Sequence, residues 1–175
     1  MPRKNILPLG GHPMLTYPIK AAIESSVFEA VYLSSDDDEI LSIGEKAGAK
    51  SLKRPPEFAT DEAHELRACE HVLSHHEKEN GAPEAFCVIY PCAVLIEAQD
   101  LIQSSKKLNE PPAADTVIGV SEYPIHPYKA LTINEKGYME MMFPDECQMR
   151  SQFYPKCVAS NGTFYWLRTE AFKIY

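Results

Sequence analysis

No apolar run in these 175 residues reaches the length needed to cross a membrane, and no secretory signal opens the sequence. A soluble, cytoplasmic protein without membrane contacts is therefore expected. The five cysteines are an odd number and contain no CxxC pair, which argues against a disulfide framework and for reduced thiols. Positive charge is not in excess: the formal net charge is −8. A general nucleic-acid or anionic-membrane binder is thereby disfavoured, while a small anionic substrate held by local cations is not. Internal repeats and low-complexity segments are absent, and the length suits one domain with its own core.

What is present is a pattern of strands alternating with helices. Ala85 to Ile89 are apolar without alternation, as in a strand buried on both faces, and Pro91 ends the run because it cannot donate to a ladder. Ligands of open α/β sheets sit just beyond the carboxyl ends of strands, so Tyr90, Pro91, Cys92 and Ala93 form the first stretch to consider for a site. Upstream, Pro13 to Ser26 reads as a helix with Leu15, Ile19, Ala22 and Ile23 on one face, kinked or starting late at Pro18. Ala30 to Leu33 reads as a short strand, followed by a polar loop and a helix carrying Ile40, Leu41 and Ile43. Thr60 or Asp61 suits the N-cap of a helix that turns Leu66, Cys69, Val72 and Leu73 inward.

After the strand at Ala85, a helix over Ala98 to Leu108 and a further buried strand over Thr116 to Val120 are expected. This order predicts a three-layer α/β/α domain of Rossmann-like type, spanning residues 1–175, with a mostly parallel sheet. From about Glu122 to Ser160 the character changes to a proline-punctuated arm with a hairpin around Asn134 to Gly137. Tyr138, Met139, Met141, Met142, Phe143, Phe153 and Tyr154 give that arm more apolar side chains than a free hairpin can bury, which predicts a homodimer built through it. A strand over Gly162 to Leu167 then returns to the sheet.

Taken singly, the polar constellations are modest. Arg3 and Lys4 are suited to phosphate, or to a solvated tail. The run Asp36-Asp37-Asp38 could hold a divalent cation, but reads better as a helix cap. His64, His71 and His75 share a helix face without an evident third zinc ligand.

Together the motifs resemble the acylneuraminate and pseudaminate cytidylyltransferases, which activate nine-carbon acidic sugars. Pro2 to Ile6 with Gly11, Pro13 and Met14 resembles the segment following that family's glycine-rich loop. Ser34 to Ile40 is similar to "STDDEEI", Arg54 to Asp61 to "RPxELAxD", and Tyr90 to Ala93 to "YPTAP". Met141 through Arg150-Ser151-Gln152 to Trp166 resembles the pseudaminate branch, and Asn161-Gly162 the "NGAxY" of the sialate branch.

The resemblance implies a nucleotidyltransferase fold and transfer of CMP from CTP to a nonulosonic acid, with Mg²⁺ and release of pyrophosphate. It also implies that Arg3 and Lys4 act in catalysis and that Arg3, Lys4, Asn5, Arg54, Tyr90 and Pro91 hold the nucleotide. Tyr90, Gln152, Asn161 and Tyr165 would face the sugar, and Lys129 and Arg150 would reach across to a partner subunit's site. Cys92 stands where the family carries Thr, Val94 where it carries Pro, and Glu65 where it carries a Ser or Thr near the nucleotide, so that its carboxylate would repel phosphate unless a metal lay between. The glycine-rich loop would precede Met1 and the metal carboxylates would follow Tyr175, so no metal ligand is assigned. A catalytically impaired relative that binds a partner, and a nucleotidyltransferase for another keto-acid sugar, are the alternatives.

Overall fold

The computed structural model describes residues 3–60 and 65–174. They fall into two compact units: Met1–Ile118 with Gly162–Tyr175, and Gly119–Asn161. Among the described residues no helix is long and apolar enough to cross a membrane.

In the first unit a 3-10 turn, Lys4–Ile6, leads into the two-residue strands β1 (Pro8–Leu9) and β2 (His12–Pro13), which pair antiparallel. Helix α1 (Thr16–Ser25) starts late, and Pro18 falls in its first turn. The first four N–H groups of a helix have no partner inside it, so the missing donor costs no bond there and needs no kink. Strand β3 (Tyr32–Ser35), helix α2 (Asp38–Lys46) and strand β4 (Lys50–Lys53) form a βαβ unit whose strands pair in parallel. Asp37 caps α2, its carboxylate accepting from the backbone N–H groups of Glu39 at 2.8 Å and Ile40 at 3.2 Å. The aspartate run is thus a cap, as its composition suggested.

Helix α3 (Glu65–Asn80) precedes strand β5 (Ala85–Ile89), and helix α4 (Ala98–Asn109) precedes strand β6 (Thr116–Glu122). The N-cap expected at Thr60 or Asp61 and the imidazole of His64 concern a segment, 61–64, that lies outside the described residues. Strand β7 (Leu131–Ile133) and strand β8 (Met139–Met141) follow, then strand β9 (Val158–Arg168) and helix α5 (Thr169–Ile174). The sheet order is β5-β9-β6, with β5 and β9 antiparallel from Ala85↔Arg168 to Ile89↔Phe164.

Two expectations are corrected here. The sheets are mixed rather than mostly parallel, because the long strand β9 comes back antiparallel beside β5. Hydrophobic runs do not encode strand direction, so the alternation of strands and helices could not show this. Strand β6 is not buried either: its residues alternate, and Ile118 and Val120 keep 45% and 44% of their surface. Strand β5 is half-buried along its length.

The core of this unit has two centres. Leu15, Ile19 and Ala49 meet Ile6, Val31, Leu33, Ile40 and Ile43 between α1, α2 and the β3–β4 pair. Ala21, Ala22 and Leu101 meet Phe28, Cys87, Ile89 and Phe164 where α1 and α4 cover β5 and β9. Trp166 of β9 stacks on Phe28 at 5.0 Å and donates its indole N–H to Ser104 Oγ at 2.9 Å. Arg168 closes the end of the sheet, donating to the carbonyls of Ala114 and Leu108 and pairing with Glu84 at 2.6 Å.

In the second unit β7 and β8 pair antiparallel. The Asn134 side chain accepts from the backbone N–H groups of Lys136 and Tyr138, and Gly137 adopts a φ of 81°, a conformation that favours glycine. Rings of His126, Tyr128, Phe143 and Tyr154 pack together beside the hairpin. Ile133 and Met139 each leave 72% of their surface uncovered.

Candidate functional site

Strands β3 and β4 end side by side, and the residues just past their carboxyl ends line a cleft. Asp36 follows β3; Lys53, Arg54, Pro55, Pro56 and Ala59 follow or close β4, and the cleft measures about 540 Å³. This is where an open α/β sheet collects its ligands. Arg54 is fixed in place: its Nη2 donates to the Ser34 carbonyl at 2.7 Å and its Nε to Ser34 Oγ at 3.2 Å. The backbone N–H of Arg54 donates to the Ser35 carbonyl at 2.8 Å, so both backbone and side chain tie it to β3. Lys53 pairs with Asp38 at 2.5 Å. Two cations on one wall suit an anionic ligand.

A second group of polar side chains surrounds Glu65, in the first turn of α3. Tyr90, directly after β5, donates its hydroxyl to Glu65 Oε2 at 2.8 Å and lies 3.0 Å from Oε1. Tyr165 of β9 donates to Oε1 at 3.2 Å. The two rings are tilted 6.0 Å apart. Pairing β5 with β9 brings these tyrosines, far apart in the chain, to one carboxylate. Both phenols are held above their ordinary pKa, first by burial; Glu65 adds to this at each, and Cys69 at Tyr165. Cys69, hydrogen-bonded with Tyr165, has its thiol pushed up to about 11 by burial and then by Glu65, an effect that nearby Arg54 opposes.

The N-terminal residues are arranged differently. Arg3 lies against the acidic start of α2, pairing with Asp37 at 3.3 Å and with Glu39, and the hydrogen bond to Glu39 raises its pKa. Lys4 is exposed in the following turn. Asn5 accepts the Leu15 N–H on its backbone carbonyl, while its side-chain oxygen is buried without a partner among the described residues. Pro91 is half-buried beyond β5. Four of the expected residues, Lys129, Arg150, Gln152 and Asn161, belong to the second unit and are exposed there.

Sequence reasoning placed Arg54, Tyr90 and Tyr165 in a site and passed over Lys53; it weighed Asp36 as a cation ligand but preferred a cap, and named Glu65 only as a departure from the family's Ser or Thr. A basic pair directly before two prolines was a readable signal for Lys53. The geometry at Glu65 needed the fold. The zinc reading of the α3 histidines gains nothing: His75 pairs with Glu79 at 3.7 Å, and no group of three potential ligands exists among the described residues. All five cysteines are free.

Solved structures with the same fold include a CMP:2-keto-3-deoxy-manno-octonic acid synthetase complexed with CTP. It is 15% identical at a TM-score of 0.69, covering 100% of this chain and 71% of that one. A 4-diphosphocytidyl-2C-methyl-D-erythritol synthase from Anaerococcus prevotii is 12% identical at a TM-score of 0.61, over 95% and 66%. The chain therefore shares the α/β fold of these two synthases.

A family model described as cytidylyltransferase matches residues 1–130, and the chain belongs to that family. The pseudaminic acid cytidylyltransferase of Campylobacter jejuni is 30% identical over 98% of this chain and 74% of its own. A Helicobacter pylori protein combines a pseudaminic acid cytidylyltransferase with a UDP-2,4-diacetamido-2,4,6-trideoxy-beta-L-altropyranose hydrolase. It is 31% identical over 97% of this chain and 32% of its own. N-acylneuraminate cytidylyltransferase A of Danio rerio is 26% identical over 97% and 39%.

Proposed function

We propose that this cytidylyltransferase transfers CMP from CTP to a nonulosonic acid of the pseudaminic or acylneuraminic type. The anomeric hydroxyl of the sugar attacks the α-phosphorus, a new P–O bond forms, and the bond to the β-phosphate breaks to release pyrophosphate. The observation that carries this reading is the cleft beyond β3 and β4, where Lys53 and the doubly anchored Arg54 present cations to a triphosphate. Tyr90, at the end of β5, and Tyr165, on β9, belong to the same unit and would meet the sugar. The hydrolase half of the Helicobacter relative is named for a diacetamido sugar, which supports an acceptor carrying acylamino groups.

Mg²⁺ is the proposed cofactor. Asp36 is the carboxylate on the cleft wall. Mg²⁺ bound with phosphates needs only one or two protein carboxylates, so these residues fit an ion that arrives with the nucleotide. Once bound it would offset phosphate charge, while Arg54 holds the phosphates in place.

The working form proposed is a cytoplasmic homodimer formed through the second unit. Ile133, Met139 and Phe153 are more than half exposed on it, and Met-plus-aromatic surfaces favour association. Lys129 and Arg150 would reach the partner's site. Pyrophosphate release is measured with each of the four nucleotides and a panel of nonulosonic acids. Activity with CTP alone is expected; silence of a folded chain supports the impaired relative instead, and turnover only with a shorter keto-acid sugar the other alternative. Sedimentation at micromolar concentration tests the dimer, and a monomer there refutes it.

A further inference from the structure

The hydrogen-bond polarity of the Glu65 cluster restricts what it can recognise. A carboxylate only accepts, and both phenol protons nearest to it are already directed at its oxygens: Tyr90 at 2.8 Å and Tyr165 at 3.2 Å. What each phenol has left to offer is oxygen lone pairs. Glu65 itself is exposed, and a carboxylate has about four acceptor directions, so capacity remains after the two tyrosines have been served. The three side chains therefore present a face made of acceptors, carrying negative charge. Such a face takes an N–H or O–H donor and turns away a carboxylate or an acceptor-only group. A serine or threonine at residue 65 would instead leave both phenol protons free to donate, and the polarity of the site would reverse.

The neighbourhood fits this division. The phenols are anchored from β5 and β9, and Cys69 adds a neutral, buried thiol behind Tyr165. The cations of the unit's cleft, Lys53 and Arg54, are the ones the triphosphate takes, so nothing cationic is assigned to the Glu65 face.

We infer that Tyr90, Glu65 and Tyr165 form a specificity face that reads a donor on the sugar, the N–H of an acylamino group, and that Glu65 sets its polarity. This rests on the function proposed above and adds the substrate edge that the chain selects. The anionic end of the sugar then points away from Glu65.

The test compares CMP transfer to N-acetylneuraminic or pseudaminic acid with transfer to the same acid methylated on its acetamido nitrogens. Methylation removes the N–H and keeps the carbonyl. The parent chain should favour the unmethylated sugar by about tenfold in kcat/KM, the scale of one hydrogen bond to a charged acceptor. Glu65→Ser frees the phenol protons, and Glu65→Gln keeps the side-chain shape while exchanging an acceptor for a donor. In both variants that preference should collapse to less than about threefold, with the KM for CTP changed less than about twofold.

Three results overturn the inference. One is an unchanged preference in both variants. Another is a change confined to the KM for CTP, which would place Glu65 against the nucleotide. The third is an equal loss for both sugars together with a lower melting temperature, which would make the cluster only a tie between α3 and the sheet. A parent chain that transfers CMP to no sugar refutes the proposed function itself and the inference with it. That outcome is read on the parent alone and cannot be confused with the other three.

Discussion

Replacing Ser104 by alanine removes one oxygen from the interior, yet it should be a costly change. Ser104 and Trp166 retain 7% and 5% of their surface. The Ser104 hydroxyl donates to the Leu101 carbonyl at 3.1 Å and accepts the indole N–H of Trp166 at 2.9 Å. In the variant the carbonyl keeps its helical partner, whereas the indole N–H faces a methyl group with water excluded. An orphaned buried donor costs about 1–3 kcal/mol, more than the net worth of the bond, because its desolvation is no longer offset. For a chain of this size each kcal/mol moves the melting temperature by roughly 2–4 °C, so a fall of about 2–12 °C is expected.

Adding Trp166→Phe to that background removes the orphan. The double variant should then be destabilised by clearly less than the two single changes added together. Scanning calorimetry supplies the numbers and urea unfolding checks them. A Ser104→Ala protein that melts within about 1 °C of its parent would refute the argument, because the indole N–H would then have found water. The pair also bears on the site, since Trp166 and Tyr165 are consecutive on β9 and point to opposite faces. Anchoring one through Ser104 holds the other against Glu65.

Gly44→Ala would put a Cβ 2.2 Å from Leu33 Cδ2, too close for any real contact, and should cost about 1–3 kcal/mol in urea unfolding. Trimming Leu33 to alanine in that background should cost less than it does in the parent. Cys92 is exposed, whereas burial pushes the Cys69 thiol up to about 11 and holds Cys87 higher than an ordinary thiol. Iodoacetamide at pH 8, followed by mass spectrometry, should therefore label Cys92 well before those two. The Asp37 carboxylate is held below the usual range, first by the Ile40 N–H. A depressed folded-state pKa adds stability above the unfolded value that is lost as pH falls through the folded one. The stabilities of the parent and Asp37→Ala should accordingly differ at pH 7 and converge toward pH 3, a trend that thermal melts across that range will show.

Residue order by itself determined the elements and the family. Apolar spacing marked α1, α2 and α4, and Asp37 announced a cap that works through two backbone N–H groups within three residues of it. The hairpin at Asn134 and the strand at Gly162 were legible for the same reason, because turns and caps are local and draw on residues adjacent in the chain. Tyr90 before Pro91 also marked where β5 stops, whereas β4 (Lys50–Lys53), just ahead of Arg54 and its two prolines, was not read from the sequence. Tertiary structure decided the rest. Strand β9 lies antiparallel beside β5 because Phe164, Tyr165, Trp166 and Leu167 found their partners across more than seventy residues of chain, a pairing that no local period records. The same pairing, rather than any motif, brought Tyr90 and Tyr165 onto Glu65. Sequence could show that residue 65 is a carboxylate. Only the fold could show that two phenol protons are directed at it, because the polarity of a site is set by which groups meet in space.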